Sequence, residues 1–245
     1  MSPDPGTPAA PRALWSENWS SIVSPELSAA LAGLGHRRML ASGEQLYGRG
    51  ETGTDLIGVV SGLIRIVGIT PDGYEGLLGL YRPGSWFGEM SLFDRLPRPG
   101  DAVAVGETEV LIVPGQRLLE LLDAHPQWYR DFARVLSHKL RMALTHIEST
   151  TLPVSARVGL RLLDLAAAYA RPADDGVLID LSLPQEELAR MLGLTRQSVN
   201  KELRQFQSRG WLQLQRGRIT LTDIPALRRE VRATGGGAVL DAQGL

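Results

Sequence analysis

The stretch Gln185–Arg218, QEELARMLGLTRQSVNKELRQFQSRGWLQLQRGR, constrains this chain more than any other. Ala189 is small, so a second helix can cross closely over the one that carries it. Gly193 falls where the turn between two helices favours a positive φ, which glycine adopts cheaply. Thr195 is placed to cap the second helix with its hydroxyl. Val199 is an inward-facing apolar position between polar neighbours. Arg196, Gln197, Ser198, Asn200 and Lys201 then occupy the exposed N-terminal turns. This is the spacing of a helix-turn-helix, whose second helix enters the major groove of DNA.

An ordinary helical hairpin would share that small-residue spacing, but it would not bring a wing or a charge excess with it. Trp211–Gln215 and Arg218–Thr222 read as a β-hairpin around Gly217, with Arg216 and Arg218 flanking the turn. From Thr195 to Arg218 there are six basic residues (Arg196, Lys201, Arg204, Arg209, Arg216, Arg218) and one acidic, Glu202. The whole chain has a net charge of −1, so positive charge is concentrated where a polyanion would lie. Arginine and lysine suit guanine O6 and N7, and glutamine suits adenine N6 and N7. Arg196, Gln197 and Lys201 are therefore the candidate base readers. Arg216 and Arg218 are the candidate phosphate contacts.

The remaining composition narrows the function classes. At 245 residues two domains are expected. No apolar run approaches a membrane span, and Met1–Trp15 lacks the charged and apolar regions of a secretory signal. A cytoplasmic location with no membrane partner follows as an expectation. The chain has no cysteine, so disulfides, thiolate-bound clusters and thiol switches are excluded. Its four histidines, His36, His125, His138 and His146, have no ligand spacing. No metal site is expected and no cofactor is implied, with haem ligation by His138 or His146 left open. No nucleophile–base pairing stands out, and an enzyme is not expected.

Texture changes along the chain. Residues 1–11 are rich in proline, alanine and glycine, which opposes ordered packing. Leu14–Leu34 reads as one or two short helices. Leu56–Val60, Leu63–Ile69, Leu77–Tyr81, Ala102–Val105 and Val110–Val113 are short β-favouring runs broken by glycine and proline, as in an antiparallel barrel or roll. Pro114–Leu122 opens a helical segment. Gln127–Thr151 then carries apolar residues at threes and fours: Trp128, Phe132, Val135, Leu136, Leu140, Ala143 and Ile147. Such a helix between two domains can bury part of its stripe on the roll and offer the rest to the same helix of a second subunit. Phe132, Val135, Leu136, Leu140, Ala143 and Ile147 are the candidate dimer seam. Val154–Ala170 is a further helix, Arg171–Gly176 a polar loop, Val177–Leu181 a strand and Ile224–Arg232 a last short helix. The triplet Gly235–Gly237 and the residues after it read as a loose tail.

A β-roll, a long helix and a winged helix-turn-helix, in that order, resemble the cyclic-AMP receptor protein / fumarate-nitrate reductase regulator family of bacterial transcription factors. The resemblance runs from about Leu34 to Arg229. It is carried in the roll by Gly43-Glu44, Gly50-Glu51, Gly58–Ile66 (GVVSGLIRI) and above all Pro83–Phe93 (PGSWFGEMSLF). It implies a homodimer on a palindromic operator, a sensor roll, and RNA polymerase as a partner, with the Arg171–Gly176 loop as the polymerase contact by position.

In cyclic-nucleotide-binding members a glycine–glutamate pair opens the phosphate cassette, and Gly88-Glu89 match it. The resemblance implies that the glycine admits the cyclic phosphate and the glutamate accepts from the ribose hydroxyl. The alternative is that Glu89 satisfies backbone donors in a turn. Those members then carry an arginine, a hydroxyl residue and an alanine. This chain reads Arg98-Pro99-Gly100-Asp101-Ala102, so an alignment on Ala102 puts Gly100 and Asp101 in the clamp, with Arg98 two residues away. Met142-Ala143 stand where adenine-facing hydroxyl residues are expected. Gly88, Glu89, Arg98 and Met142 are the candidate effector-pocket residues. Two readings of the sensor follow: a degenerate one that does not answer cyclic AMP in the usual way, or a modified pocket for a cyclic nucleotide or other small effector.

The expected class is α+β: an N-terminal antiparallel, cyclic-nucleotide-binding-like β-roll, a long dimerisation helix and a C-terminal winged helix-turn-helix. The expected layout is a flexible segment over 1–22, the sensor roll over 23–125, the dimerisation helix over 126–151, the DNA-binding domain over 152–232 and a flexible tail over 233–245.

Overall fold

Short antiparallel strands between residues 36 and 113 form two sheets that enclose one apolar interior. A computed structural model describes Trp19 and residues 22–69, 75–179, 185–215 and 218–243. It divides into two compact units, one running to Ala143 and the other from Leu144 onward.

The first unit opens with helix α1 (Pro25–Leu34). Ser24 caps it, its hydroxyl accepting from the Leu27 amide, and Pro25 sits in the first turn, where no amide is missed. Eight strands follow among the described residues: β1 (His36–Leu40), β2 (Gln45–Tyr47), β3 (Leu56–Ser61), β4 (Ile64–Ile69), β5 (Glu75–Tyr81), β6 (Trp86–Phe87), β7 (Asp101–Ala104) and β8 (Thr108–Val113). One sheet runs β1-β8-β3-β6 and the other β2-β7-β4-β5. Leu40, Ile57, Val59, Ile64, Ile66, Phe87, Ala102, Ala104 and Val110 fill the space they enclose.

Helix α2 (Glu89–Asp94) leaves β6, and helices α3 (Gly115–Ala124) and α4 (Tyr129–Thr150) follow β8. A second core joins these helices to the roll: Trp19, Leu27, Leu31, Leu56, Leu92, Val113, Leu118, Leu122, Phe132 and Val135. Phe132 stands edge-on to Trp19 with ring centroids 5.5 Å apart, and to Phe93 at 5.1 Å.

That core corrects two expectations. Trp19 lies inside the segment read as flexible over 1–22, yet it is fully buried and its amide donates to the Gly84 carbonyl at 3.2 Å. Residues 1–18, 20 and 21 lie outside the described residues. Phe132 and Val135, placed on the dimer seam by their spacing, are core residues of the roll unit. The first half of α4 therefore belongs to the roll unit and is not a separate element beginning at 126.

The second unit is built on α5 (Val154–Tyr169). Strands β9 (Ala170–Ala173) and β10 (Gly176–Ile179) follow it as a hairpin, so the polar loop expected over 171–176 is largely a paired strand and its turn. Helices α6 (Gln185–Leu192) and α7 (Arg196–Ser208), strands β11 (Leu212–Gln215) and β12 (Arg218–Leu221) and helix α8 (Ile224–Val231) complete the motif. The sheet order is β11-β12-β10-β9. Helix α5 packs on α6, α7 and α8. Arg157 on α5 donates to the Leu192 carbonyl at the C-terminus of α6, where a cation is favoured. Arg161 and Asp164, both buried, pair at 2.9 Å along α5. Burial pulls the Arg161 guanidinium down to about 10, so it stays charged at neutral pH.

The tail is not loose. After a turn at 232–236 the chain forms helix α9 (Gly237–Gln243), which buries Val239 and Leu240. Arg232 and Asp241 pair across that turn at 2.7 Å. Three consecutive glycines mask this helix in the sequence, because they read as a breaker and leave too short a run after them to show a period. Leu240→Ala should destabilise the second unit by about 2–5 kcal/mol, the usual cost of emptying a leucine site. Thermal unfolding of the full chain should show one transition lowered and the roll's unchanged. Two unchanged transitions would mean that α9 is not docked.

Candidate nucleic-acid interface and effector site

The turn between α6 and α7 has the geometry its residues imply. Gly193 takes φ +59°, and the Leu194 amide donates back to the Ala189 carbonyl at 3.0 Å. Thr195 caps α7, accepting from the Ser198 amide at 3.1 Å. Val199, Leu203 and Phe206 are buried, and Ala189 is buried opposite them on α6. By helical spacing Gln197, Asn200, Lys201 and Arg204 share the face turned away from that core, and Arg196 opens the first turn.

The candidate readers differ in availability. Arg196, Gln197 and Lys201 are exposed, whereas Ser198 and Asn200 are half-buried. The Ser198 hydroxyl also lies 2.9 Å from that of Thr195, inside the cap. The wing forms as an antiparallel hairpin, with Gln215 opposite Arg218. Arg218 is exposed; Arg216 and Gly217 lie outside the described residues. Arg209, counted with the basic cluster, is committed elsewhere: it pairs with Glu230 at 3.2 Å and stacks 4.9 Å from the Trp211 ring. It anchors the base of the wing.

In the roll, Gly88, Glu89 and Arg98 fall in one region with partners that the sequence did not reveal. Gly88 takes φ +101°, and a Cβ there would lie 2.5 Å from the Asp55 carbonyl oxygen. The glycine is thus demanded by the fold itself. Glu89 follows as the first residue of α2, only 2% exposed. Its Oε1 accepts from Lys139 Nζ of α4 at 2.8 Å, and its Oε2 is buried without a hydrogen-bond partner among the described residues. The reading in which Glu89 satisfies backbone donors in a turn is therefore replaced by an ion pair to a helix fifty residues away.

Arg98 is buried, and its main chain is pinned on both sides. Its amide donates to the Glu51 carbonyl at 2.9 Å, and its carbonyl accepts from the Gly50 amide at 3.0 Å. Its guanidinium donates to the carbonyls of Asp55 at 2.8 Å and Gly88 at 3.3 Å, and stacks 4.5 Å from the Tyr47 ring. Pro99, which limits where Arg98 can go, does not prevent this inward course. Tyr47 and Tyr81 both pack on Phe87, and Lys139 Nζ lies 5.5 Å from the Tyr81 ring. A closed circuit results: Gly88, Glu89, Lys139, Tyr81, Phe87, Tyr47, Arg98 and back to Gly88. Burial pushes the Tyr47 phenol well above its ordinary range, so it stays protonated. Met142 is buried one turn beyond Lys139 on α4.

The alignment on Ala102 does not survive this geometry. A Cβ on Gly100 would lie 2.4 Å from the Val67 carbonyl oxygen, so no arginine belongs there. Asp101 Oδ1 accepts from the Arg49 amide at 2.7 Å and from Gln45 Nε2 at 3.4 Å. Along β7, Ala102 and Ala104 point inward and Asp101 does not. Its carboxylate holds the segment after β2 in place and does not sit as a repulsive charge in the pocket. Among the described residues no group of three histidine or acidic side chains is placed to hold a metal, and no helix is long and apolar enough to cross a membrane.

A sensor-type roll joined to a winged helix-turn-helix defines a class of bacterial regulator, and comparison with known proteins agrees. The family model for the cyclic nucleotide-binding domain matches residues 37–125, and that for the Crp-like helix-turn-helix domain matches residues 156–230. A CRP-like cAMP-activated global transcriptional regulator of Mycobacterium tuberculosis is 31% identical over 191 residues, covering 78% of this chain and 85% of the relative. The cyclic AMP receptor protein of Thermus thermophilus is 29% identical over 192 residues, with 78% and 86% covered. Among solved structures, the c-di-GMP responsive global regulator CLP of Xanthomonas campestris superposes with a TM-score of 0.68 at 25% identity, over 80% of this chain and 97% of that one. The chain belongs to the CRP/FNR family of transcriptional regulators. These relatives are regulators and not enzymes.

Proposed function

We propose that this protein is a homodimeric, sequence-specific DNA-binding regulator that reads a palindromic operator with α7 and does not answer cyclic AMP in the usual way. The exposed N-terminal turn of α7, with Arg196, Gln197 and Lys201 on it, carries the DNA-reading half of the proposal. Ser198 and Asn200 support that surface from its edge, and Arg218, with Arg216 beside it in sequence, meets phosphates. Removing a bidentate base contact costs about 1–3 kcal/mol and relaxes one position of the site. Arg196→Ala should therefore select a binding motif that is degenerate at one base pair per half-site. An unchanged motif would remove Arg196 from the readers.

The dimer seam is the part of the α4 stripe that the roll leaves uncovered. Leu140 is 62% exposed, Ile147 61% and Leu144 53%. Leu136 is half-buried and Ala143 is exposed. Positions 136, 140, 143 and 147 alternate by four and three, the spacing of a two-helix seam. The occupant is a second copy of this chain, which brings the same stripe. Leu140 is exposed within one chain, so Leu140→Glu leaves that chain's fold intact and acts only on assembly. Sedimentation should show a monomer that no longer holds a palindromic duplex. A dimer with normal operator binding would contradict the seam.

For the sensor, the support is that Glu89 is already ion-paired, that Arg98 is spent on two carbonyls and that Met142 is apolar. A second reading rests on the place of Arg98 beside Gly88. There it would be the phosphate ligand of a modified pocket, as befits relatives described as cAMP-activated or c-di-GMP responsive. The β9 hairpin remains the candidate polymerase contact by its position in the family.

A further inference from the structure

We infer that Leu152 is a positioning residue for operator binding: seated on the glycine turn before α9, it fixes the angle at which α5 leaves α4 and so the separation of two α7 helices on a palindrome. The inference rests on the dimeric reading proposed above. Residues 151–153 join α4 to α5. Thr151 and Pro153 are exposed, and Leu152 is half-buried. The link closes in short turns, the amides of Thr151 and Leu152 donating to the carbonyls of Glu148 and Ser149 at 3.2 Å each, and Pro153 gives α5 no side-chain cap. Leu152 is therefore the side chain best placed to hold the course of the link.

What meets it comes from the far end of the chain. A Cβ added at Gly235 would lie 3.6 Å from Cδ2 of Leu152, and a Cβ at Gly236 would lie 3.6 Å from Cδ1. The two methyls thus lie against the turn at 232–236, which also packs on α5. The turn requires its glycines. Gly235 takes φ +92°, and a Cβ at Gly236 would lie 2.5 Å from Cγ1 of Val231. The same Val231 faces Gly159, where a Cβ would come within 2.6 Å of Cγ2. Leu152, the turn, Val231 and Gly159 form a ring of contacts along the start of α5. Thr234 closes the end of α8 by donating to the Glu230 carbonyl at 2.8 Å, and Arg232 pairs with Asp241 of α9. The turn is held from both sides, so Leu152 has a fixed seat. Two recognition helices gain from simultaneous binding only when their separation matches the duplex. A seat at the link sets that separation without touching DNA.

The experiment uses the full-length protein and compares wild type, Leu152→Ala, Leu152→Met and Gly235→Val. The last places a β-branched residue at a left-handed position on the exposed side of the turn. Affinity is measured for the selected palindrome, for versions with one base pair added or removed at its centre, and for a single half-site. Amide hydrogen exchange is followed over residues 148–156 and 196–208. Leu152→Ala and Gly235→Val should bind the palindrome about tenfold more weakly, keep the half-site affinity of wild type and lose the preference among spacings. Exchange should quicken over 148–156 and stay unchanged over 196–208. Leu152→Met refills the seat and should match wild type. Equal losses on half-site and palindrome would make Leu152 a stabilising residue only and overturn the inference. So would a palindrome affinity and spacing preference that stay at wild-type values. If wild type itself binds the palindrome no better than the half-site, the proposed function fails instead. Exchange over 148–156 then decides the seat: quickening in both variants supports it, and no change overturns it.

Discussion

A carboxylate sealed inside a protein must be met by a cation or a set of donors, and the pairing of Glu89 with Lys139 meets that demand in this chain. Several elements of the roll unit meet around it. Gly88 gives the left-handed residue that turns β6 into α2 and so delivers Glu89 to the interior. Arg98, pinned by the main chain of Gly50 and Glu51, closes the other side of the same turn. Phe132 and Val135 hold α4 close enough for Lys139 to reach. The aromatic side chains of Tyr47, Tyr81 and Phe87 wall the circuit and keep its charges from water. Helix α4 thus carries both this ion pair and an apolar stripe that the roll leaves exposed at Leu140.

The second unit works on simpler terms. Its core is apolar apart from the buried Arg161–Asp164 pair, and its caps are local. Thr195, Gly193 and Val199 do what their residue types dictate, because each acts within a few positions of itself. The same is true of the wing, whose two strands pair across a two-residue connection. This is why the helix-turn-helix was legible in the sequence, although the commitment of Arg209 to Glu230 was not. The five β-favouring runs of the roll were legible too, since glycine and proline punctuate them. Strand β1 was not, because His36-Arg37-Arg38-Met39 is exposed along its whole length and carries no alternation. Strands β2 and β6 are too short to show any.

What the sequence hid was long-range. Nothing in the spacing of Glu89 and Lys139 announces a bond across fifty residues. Periodicity marked Phe132 and Val135 as apolar but could not say which partner covers them, and they went to the roll instead of a second subunit. Alignment by residue type put an arginine site at Gly100, where the Val67 carbonyl leaves no room for a side chain. The final helix was hidden by its own glycines, although Leu240 is as buried as any core residue.

The central claim is that two copies of this chain, joined through α4, present two α7 helices to DNA and need no cyclic AMP to do so. Selection of bound duplexes from a random library, by the nucleotide-free full-length protein with and without cyclic AMP, tests it most directly. The account predicts two inverted half-sites with centres about one helical turn, roughly 34 Å, apart, recovered equally well under both conditions. Enrichment that appears only with cyclic AMP, or a single half-site with no symmetric partner, would contradict it.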